Sequence, residues 1–242
     1  MTELSTEQEF AANDETEFAI RSICGGLQEL TKLGPAHDRP AVALQLLAQG
    51  FERLAKVVLI LGYLEQDGRL MSLKKLRDYG HRVDDLLVAV VTLCERADYG
   101  IDRPAIRDDI DFMKANPLLA QLIQVISDFG DGGRYQSLNV LLGGDTENGP
   151  AGAFQELTLS LLDAHPEWIG KIGTADFSGF YPVIYGDMVE ALQRLGRALC
   201  RTFTLGLLGA RGRLQTGAIQ PFLFLMDDDL RSISRRCEER YL

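Results

Sequence analysis

Apolar residues recur along this chain with the period of an α-helix. From Thr16 to Leu33 they fall at Phe18, Ile20, Ile23, Leu27, Leu30 and Leu33, and the run stops at the helix-breaking pair Gly34-Pro35. Pro40, whose missing N–H costs nothing in a first turn, predicts the start of a second helix that reaches about Glu65 and ends in the turn-forming Gln66-Asp67-Gly68. Within it, Gln45, Gln49, Glu52, Arg53 and Lys56 project within an arc of roughly 100° while most other positions are apolar. That pattern predicts a helix buried on most sides with one wet stripe, either its solvent face or the wall of a polar groove. A short helix is expected over Ser72 to Tyr79. Beyond Gly80 a long one begins near His81, where Val83, Leu86, Leu87, Val90, Val91 and Cys94 follow helical spacing.

Pro104 and Pro117 sit as first-turn prolines and predict helices over Pro104 to Ala115 and Pro117 to Phe129, the second capped by Asn116. Gly130 to Gly133 form a loop before Arg134-Tyr135 and the apolar run Leu138 to Leu142, and Gly143 to Gly149 are the best candidate boundary. Further helices are expected over Pro150 to Asp163, from about Phe180 to Gly206, and over Asp227 to Tyr241, with a loop around His165, Pro166 and Trp168. Phe222 to Met226 could pass for a strand, but a lone strand leaves its backbone unpaired, so helix is preferred. The expected organisation is an acidic, flexible N-terminus over 1–15, a helical bundle over 16–145 and a C-terminal helical region over 146–242 packed on it.

Composition supports a folded chain. With 242 residues, 46% of them hydrophobic, it can bury a sizeable core without a metal or disulfide staple. A net charge of -10 repels phosphate backbones and anionic lipid on average, so nucleic-acid binding would need a local basic patch. Cys24, Cys94, Cys200 and Cys237 lie far apart with no C-x-x-C pair, which argues against a zinc knuckle or dithiol site and favours buried free thiols in a reducing compartment. Acidic Glu3 to Glu17, with no Lys or Arg, is unlike a targeting presequence. Leu54 to Leu64 is broken by Lys56 and too short to cross a bilayer. A cytoplasmic protein without a membrane segment is expected.

Gln49-Gly50-Phe51-Glu52-Arg53-Leu54-Ala55-Lys56, followed by Tyr79-Gly80-His81-Arg82-Val83-Asp84-Asp85-Leu86-Leu87, resembles the HEPN family, whose helical bundles often carry a Glu-Arg-Leu-x-Lys-like helix and then a Gly-His-(Asp)-Leu-type start to the next. Gly133-Arg134-Tyr135 with Leu138-Asn139 looks like a pattern in bacterial members, with Asn139 in place of their Asp. The resemblance spans roughly residues 40 to 142. It implies an all-α, HEPN-like helical bundle, here with additional C-terminal helices. It further implies a homodimer in prokaryotic stress, toxin–antitoxin or anti-phage defence that binds RNA or nucleotide and, in its catalytic form, cuts RNA without metal.

Members that cut RNA typically carry R-x(4-6)-H at a dimer interface. The nearest approach here, Arg77-Asp78-Tyr79-Gly80-His81, is one residue short and sits at a mid-chain helix start. His81 could act as acid or base with Arg77 beside the phosphate, or it could serve as a capping or packing residue where Gly80-His81 meets a helix start. Glu52, Arg53 and Lys56 could join His81 in one polar groove, and an internal ion-pair network fits the same residues. From Ala191 to Met226 no acidic residue occurs, yet Arg194, Arg197, Arg201, Arg211 and Arg213 do, the first three on one helical face. With Arg134 they are candidate nucleic-acid contacts, because guanidinium pairs bidentately with phosphate. A solvated face or intramolecular pairing is the alternative. No P-loop, H-E-x-x-H, EF-hand or G-x-S-x-G pattern is present, and neither a metal nor a cofactor is expected. The rival to an RNA-directed protein is a noncatalytic interaction module that holds a partner protein.

Overall fold

The computed structural model describes residues 3–34, 39–99, 102–144 and 149–241, and among them no strand forms. The fold is all-α. Pro35 of the expected break, His37 and residues 145–148 of the expected boundary lie outside the described residues.

Helix α1 (Thr6–Thr31) begins ten residues before its apolar periodicity does, because Ser5 and Gln8 make a reciprocal capping box that satisfies two otherwise unpaired N–H groups. The segment expected to be flexible is therefore largely the first turns of a helix. Helix α2 (Ala41–Asp67) runs antiparallel to α1 and ends at Gly68, whose φ of 67° suits a residue without Cβ. The two backbones approach closely where Gly50 meets Ile23 and Ala19. A Cβ at Gly50 would stand 2.8 Å from the Ile23 nitrogen. As predicted, α2 is buried on most sides, with Gln45, Gln49, Glu52, Arg53 and Lys56 forming its half-buried stripe.

A short helix α3 (Leu73–Asp78), capped by Ser72, carries the chain back so that α4 (Val83–Arg96) runs beside α2 in the same direction. Helices α5 (Pro104–Ala115) and α6 (Pro117–Gly130) open on prolines, with Asn116 accepting from the Leu119 N–H at 2.8 Å. Arg82, just before α4, pairs with Asp84 and with Asp128 of α6, and Ser127 donates to Asp84, which ties the start of α4 to the end of α6.

Helix α7 (Gln136–Leu141) has no buried residue, whereas α8 (Pro150–Ser160) packs on α6. Three 3₁₀ turns then lead to α9 (Phe180–Thr204), which crosses the core and touches α1, α2, α5 and α6. Helix α10 (Gly209–Leu214) precedes α11 (Thr216–Leu223), whose Phe222 ring fills the space left by Gly196 of α9. The C-terminal helix expected from Asp227 is instead a 3₁₀ turn over Asp227–Asp229 and a separate α12 (Arg235–Tyr241). The intervening stretch is held by buried Gln193, whose amide donates to the carbonyls of Leu230 and Ser232 and accepts from the Ser234 N–H. One apolar cluster joins residues from α1 through α12, so the expected division near residue 145 does not separate two cores.

The cysteine expectation needs correction. Cys24 of α1 and Cys237 of α12 form a disulfide across 213 residues of sequence, while Cys94 and Cys200 are buried free thiols. Sequence spacing carries no sign of this pair, because only the folded chain brings the two helices together.

Candidate functional site

The wet stripe of α2 meets the turn before α4. Glu52 and Lys56 stand one helical turn apart, with Lys56 Nζ 2.6 Å from Glu52 Oε1. Lys56 also donates to the Gly80 carbonyl at 2.7 Å, which fixes a turn where Gly80 adopts φ 56° and swings His81 over Glu52. His81 Nδ1 lies 3.1 Å from Glu52 Oε2. Its side chain is 48% exposed against 16% for Glu52, so the imidazole forms the outer lip of the cluster. Nδ1 faces a carboxylate, and Nε2 makes no hydrogen bond among the described residues, a geometry in which Nε2 could exchange a proton.

Two residues expected nearby are elsewhere. Arg53, a hundred degrees further around α2, turns to α1, where its Nη1 pairs with Glu15 at 2.6 Å and its guanidinium covers the Phe18 ring at 4.6 Å. Arg77 is exposed on α3 and makes no ion pair among the described residues.

The arginines of the acid-free stretch share a face of α9 as expected, but that face points into the protein. Arg197 is 5% exposed, and its two terminal nitrogens donate to the Leu225 carbonyl at 3.0 Å and to Asp227 at 2.7 Å. Arg201 pairs at 2.6 Å with Asp109 of α5, which is 4% exposed. Arg194 lies over the Phe112 ring at 4.2 Å. The two carboxylates respond in opposite senses. Burial pushes the Asp109 carboxyl up despite the Arg201 hydrogen bond, whereas the Arg197 hydrogen bond holds exposed Asp227 below its ordinary range. Arg211 approaches Glu65 at 3.9 Å, Arg213 is exposed on α10, and Arg134 is exposed over the Tyr135 ring. The six arginines thus form no common outward face.

Sequence reasoning missed a second histidine centre. His165 Nε2 is 2.7 Å from Asp187 of α9, its Nδ1 is 3.5 Å from Glu167, and Asp187 also pairs with Arg231. Both ring nitrogens are thereby engaged, and nothing in the spacing of these residues signals the contact. Of the free thiols, Cys94 is pushed up to about 12 by burial and Cys200 is raised further, which removes both as nucleophiles near neutral pH.

Two apolar features remain. A groove of about 400 Å³ lies between α1, α2 and α3, lined by Leu4, Val57, Ile60, Leu70, Met71 and Leu76 among others. Around α7, Tyr135, Leu138 and Leu142 recur at i, i+3 and i+7 and stand exposed beside Leu141, the last two leucines being 84% and 79% accessible. No helix among the described residues is long and apolar enough to cross a membrane, and none of their His, Cys, Asp or Glu side chains form a group of three or more that could hold a metal ion. Comparison with protein-family models, curated proteins and solved structures gives no match.

Proposed function

We propose that this protein is a noncatalytic helical interaction module that docks a partner protein on the apolar ridge of α7. The observation that carries this reading is a short helix with no buried residue, whose Leu138 and Leu141 stand exposed beside the flanking Tyr135 and Leu142. Large apolar side chains clustered at a surface are a feature of interaction sites, and Leu141 and Leu142 are among the most exposed of this chain's described large apolar residues. The inward commitment of Arg194, Arg197 and Arg201 favours this reading over one in which they grip an RNA backbone. A photo-crosslinking residue placed at Leu141 should give one discrete adduct in cells. Leu138→Ser with Leu142→Ser should abolish it while leaving the melting temperature within a few degrees. An adduct pattern equal to that from a probe at exposed Arg21 would refute the module.

One observation favours a second reading, in which the protein acts on RNA or nucleotide as a HEPN-like homodimer: the half-exposed His81 imidazole held by Glu52. In that version His81 exchanges the proton of the 2′-hydroxyl and Arg77 steadies the phosphate. Purified protein would then cleave single-stranded RNA in the presence of a chelator, and His81→Ala would end cleavage. Equal cleavage by that variant removes His81 from the reaction.

A further inference from the structure

The first half of α1 leaves room against α2 where the second half leaves none. Gly50 lets α2 close onto Ala19 and Ile23, whereas the start of α1 lies across the end of α2 because the two helices run antiparallel. There Gln8, Ala11, Ala12 and Glu15, at i, i+3, i+4 and i+7, turn one face of α1 toward Val57 and Leu61. The two central positions of that face are alanines, too small to fill the gap. The result is the groove of about 400 Å³, whose remaining wall is α3 and the connection before it. Val57 and Leu61, 4% and 2% exposed, form its floor, while Leu73, 60% exposed, stands at its mouth.

We propose that this groove binds an uncharged aliphatic small molecule, of the class of a medium-chain alcohol. Of the twelve lining residues only Glu15 is charged, and Arg53 already pairs with it at 2.6 Å. The wall thus offers no cation to a phosphate or carboxylate and no unpaired anion to an amine, and a charge brought in would lose its hydration uncompensated. Polar partners are equally scarce. Gln8 is the one other polar lining residue, its side-chain carbonyl accepts from the Ser5 N–H at 2.9 Å, and the remaining ten are apolar. Water needs about two to four polar partners, so apolar atoms are the better occupant. No aromatic ring lines the groove, and its aliphatic walls with the adaptable Met71 suit a flexible chain more than a stacked ring. A cavity of about 150 Å³ holds benzene, and more than twice that volume has room for an eight-carbon chain. A protein partner needs a larger surface, since stable interfaces commit about 20–30 residues a side and twelve line this groove. The site is independent of the α7 ridge, so either idea can fail without the other.

Calorimetric titration of the full chain with 1-octanol at pH 7 tests the site. Saturable one-site binding is expected, with 1-hexanol roughly tenfold weaker because it buries two methylenes fewer. Octanoate and octylammonium, of the same chain length but charged, should each bind at least tenfold more weakly than octanol. Ala12→Leu, which puts a side chain into the groove, should weaken octanol at least tenfold while leaving the melting temperature unchanged or raised. Ala11→Leu, one position closer to solvent, should act in the same sense if the first variant fails to fold. Val88→Ser, which removes an exposed apolar side chain of α4 outside the groove, should bind as wild type. The proposal is overturned by absence of saturable octanol binding to wild type, by unchanged affinity in a folded Ala12→Leu or Ala11→Leu variant, or by octanoate or octylammonium binding as tightly as octanol. It is equally overturned if sedimentation shows a dimer that Ala12→Leu dissociates, which would make the groove a contact between two copies of the chain.

Discussion

Charged side chains in this protein are mostly tied to one another, and Asp84 shows what that means for stability. Burial works to raise its carboxyl, but hydrogen bonds from Ser127 and Arg82 outweigh burial and leave it lowered. A lowered carboxylate contributes stability that is fully present above the unfolded value, about 3.9, and is lost as pH falls through the folded one. Asp109, raised by burial, acts in the opposite sense: its charged form weighs against the folded state as pH climbs from the ordinary value through the raised one. Asp84→Asn should therefore cost roughly 1–3 kcal/mol at pH 7, in line with loss of a charged hydrogen bond. It should also flatten the decline in urea midpoint below about pH 4, measured by denaturation across a pH series. At this scale the sequence was half legible. That Glu52, Lys56 and His81 could meet follows from their helices being neighbours in sequence, whereas Arg53, grouped with them, turns to Glu15 instead. The spacing of Arg194, Arg197 and Arg201 announced a shared face without saying what it met, since Asp109 lies 92 residues away from Arg201.

Among elements, the α1–α2 contact sets the geometry of the core. A Cβ at Gly50 would come within 2.6 Å of Ile23 Cγ1, 2.8 Å of the Ile23 nitrogen and 2.9 Å of the Ala19 carbonyl, and the last two are backbone atoms that cannot swing aside. Alanine is the better helix former by about 1 kcal/mol, yet overpacking costs about 1–3 kcal/mol, so Gly50→Ala should lower the melting temperature. Gly217→Ala, where an added Cβ meets nothing within 4 Å, should leave it unchanged or raise it. Helices α2 to α6 were readable almost to the residue because prolines, caps and glycines punctuate them. The start of α1 was not, because Thr6 to Glu15 lacks an apolar stripe and is helical by virtue of its cap and of the buried turns that follow. The break after Asp229 was equally hidden, since it depends on the Gln193 amide reaching across from α9.

At the scale of the whole molecule, the Cys24–Cys237 bond is the feature that composition argued against. Cross-linking residues this far apart removes much unfolded-state freedom, and such bonds typically stabilise by about 2–4 kcal/mol. Cys237→Ser should shift the denaturation midpoint down accordingly, and dithiothreitol should do the same to wild type but nothing further to the variant. The four widely spaced cysteines favour free thiols and, with them, a reducing compartment. A disulfide takes that ground away, because such bonds persist where the surroundings are oxidising. Closing the first helix onto the last also turns a linear polymer into something topologically close to a ring. A single protease cut in a surface connection, such as that between α2 and α3, would leave two pieces that still travel as one particle on a denaturing gel and part company only once a thiol reagent is added.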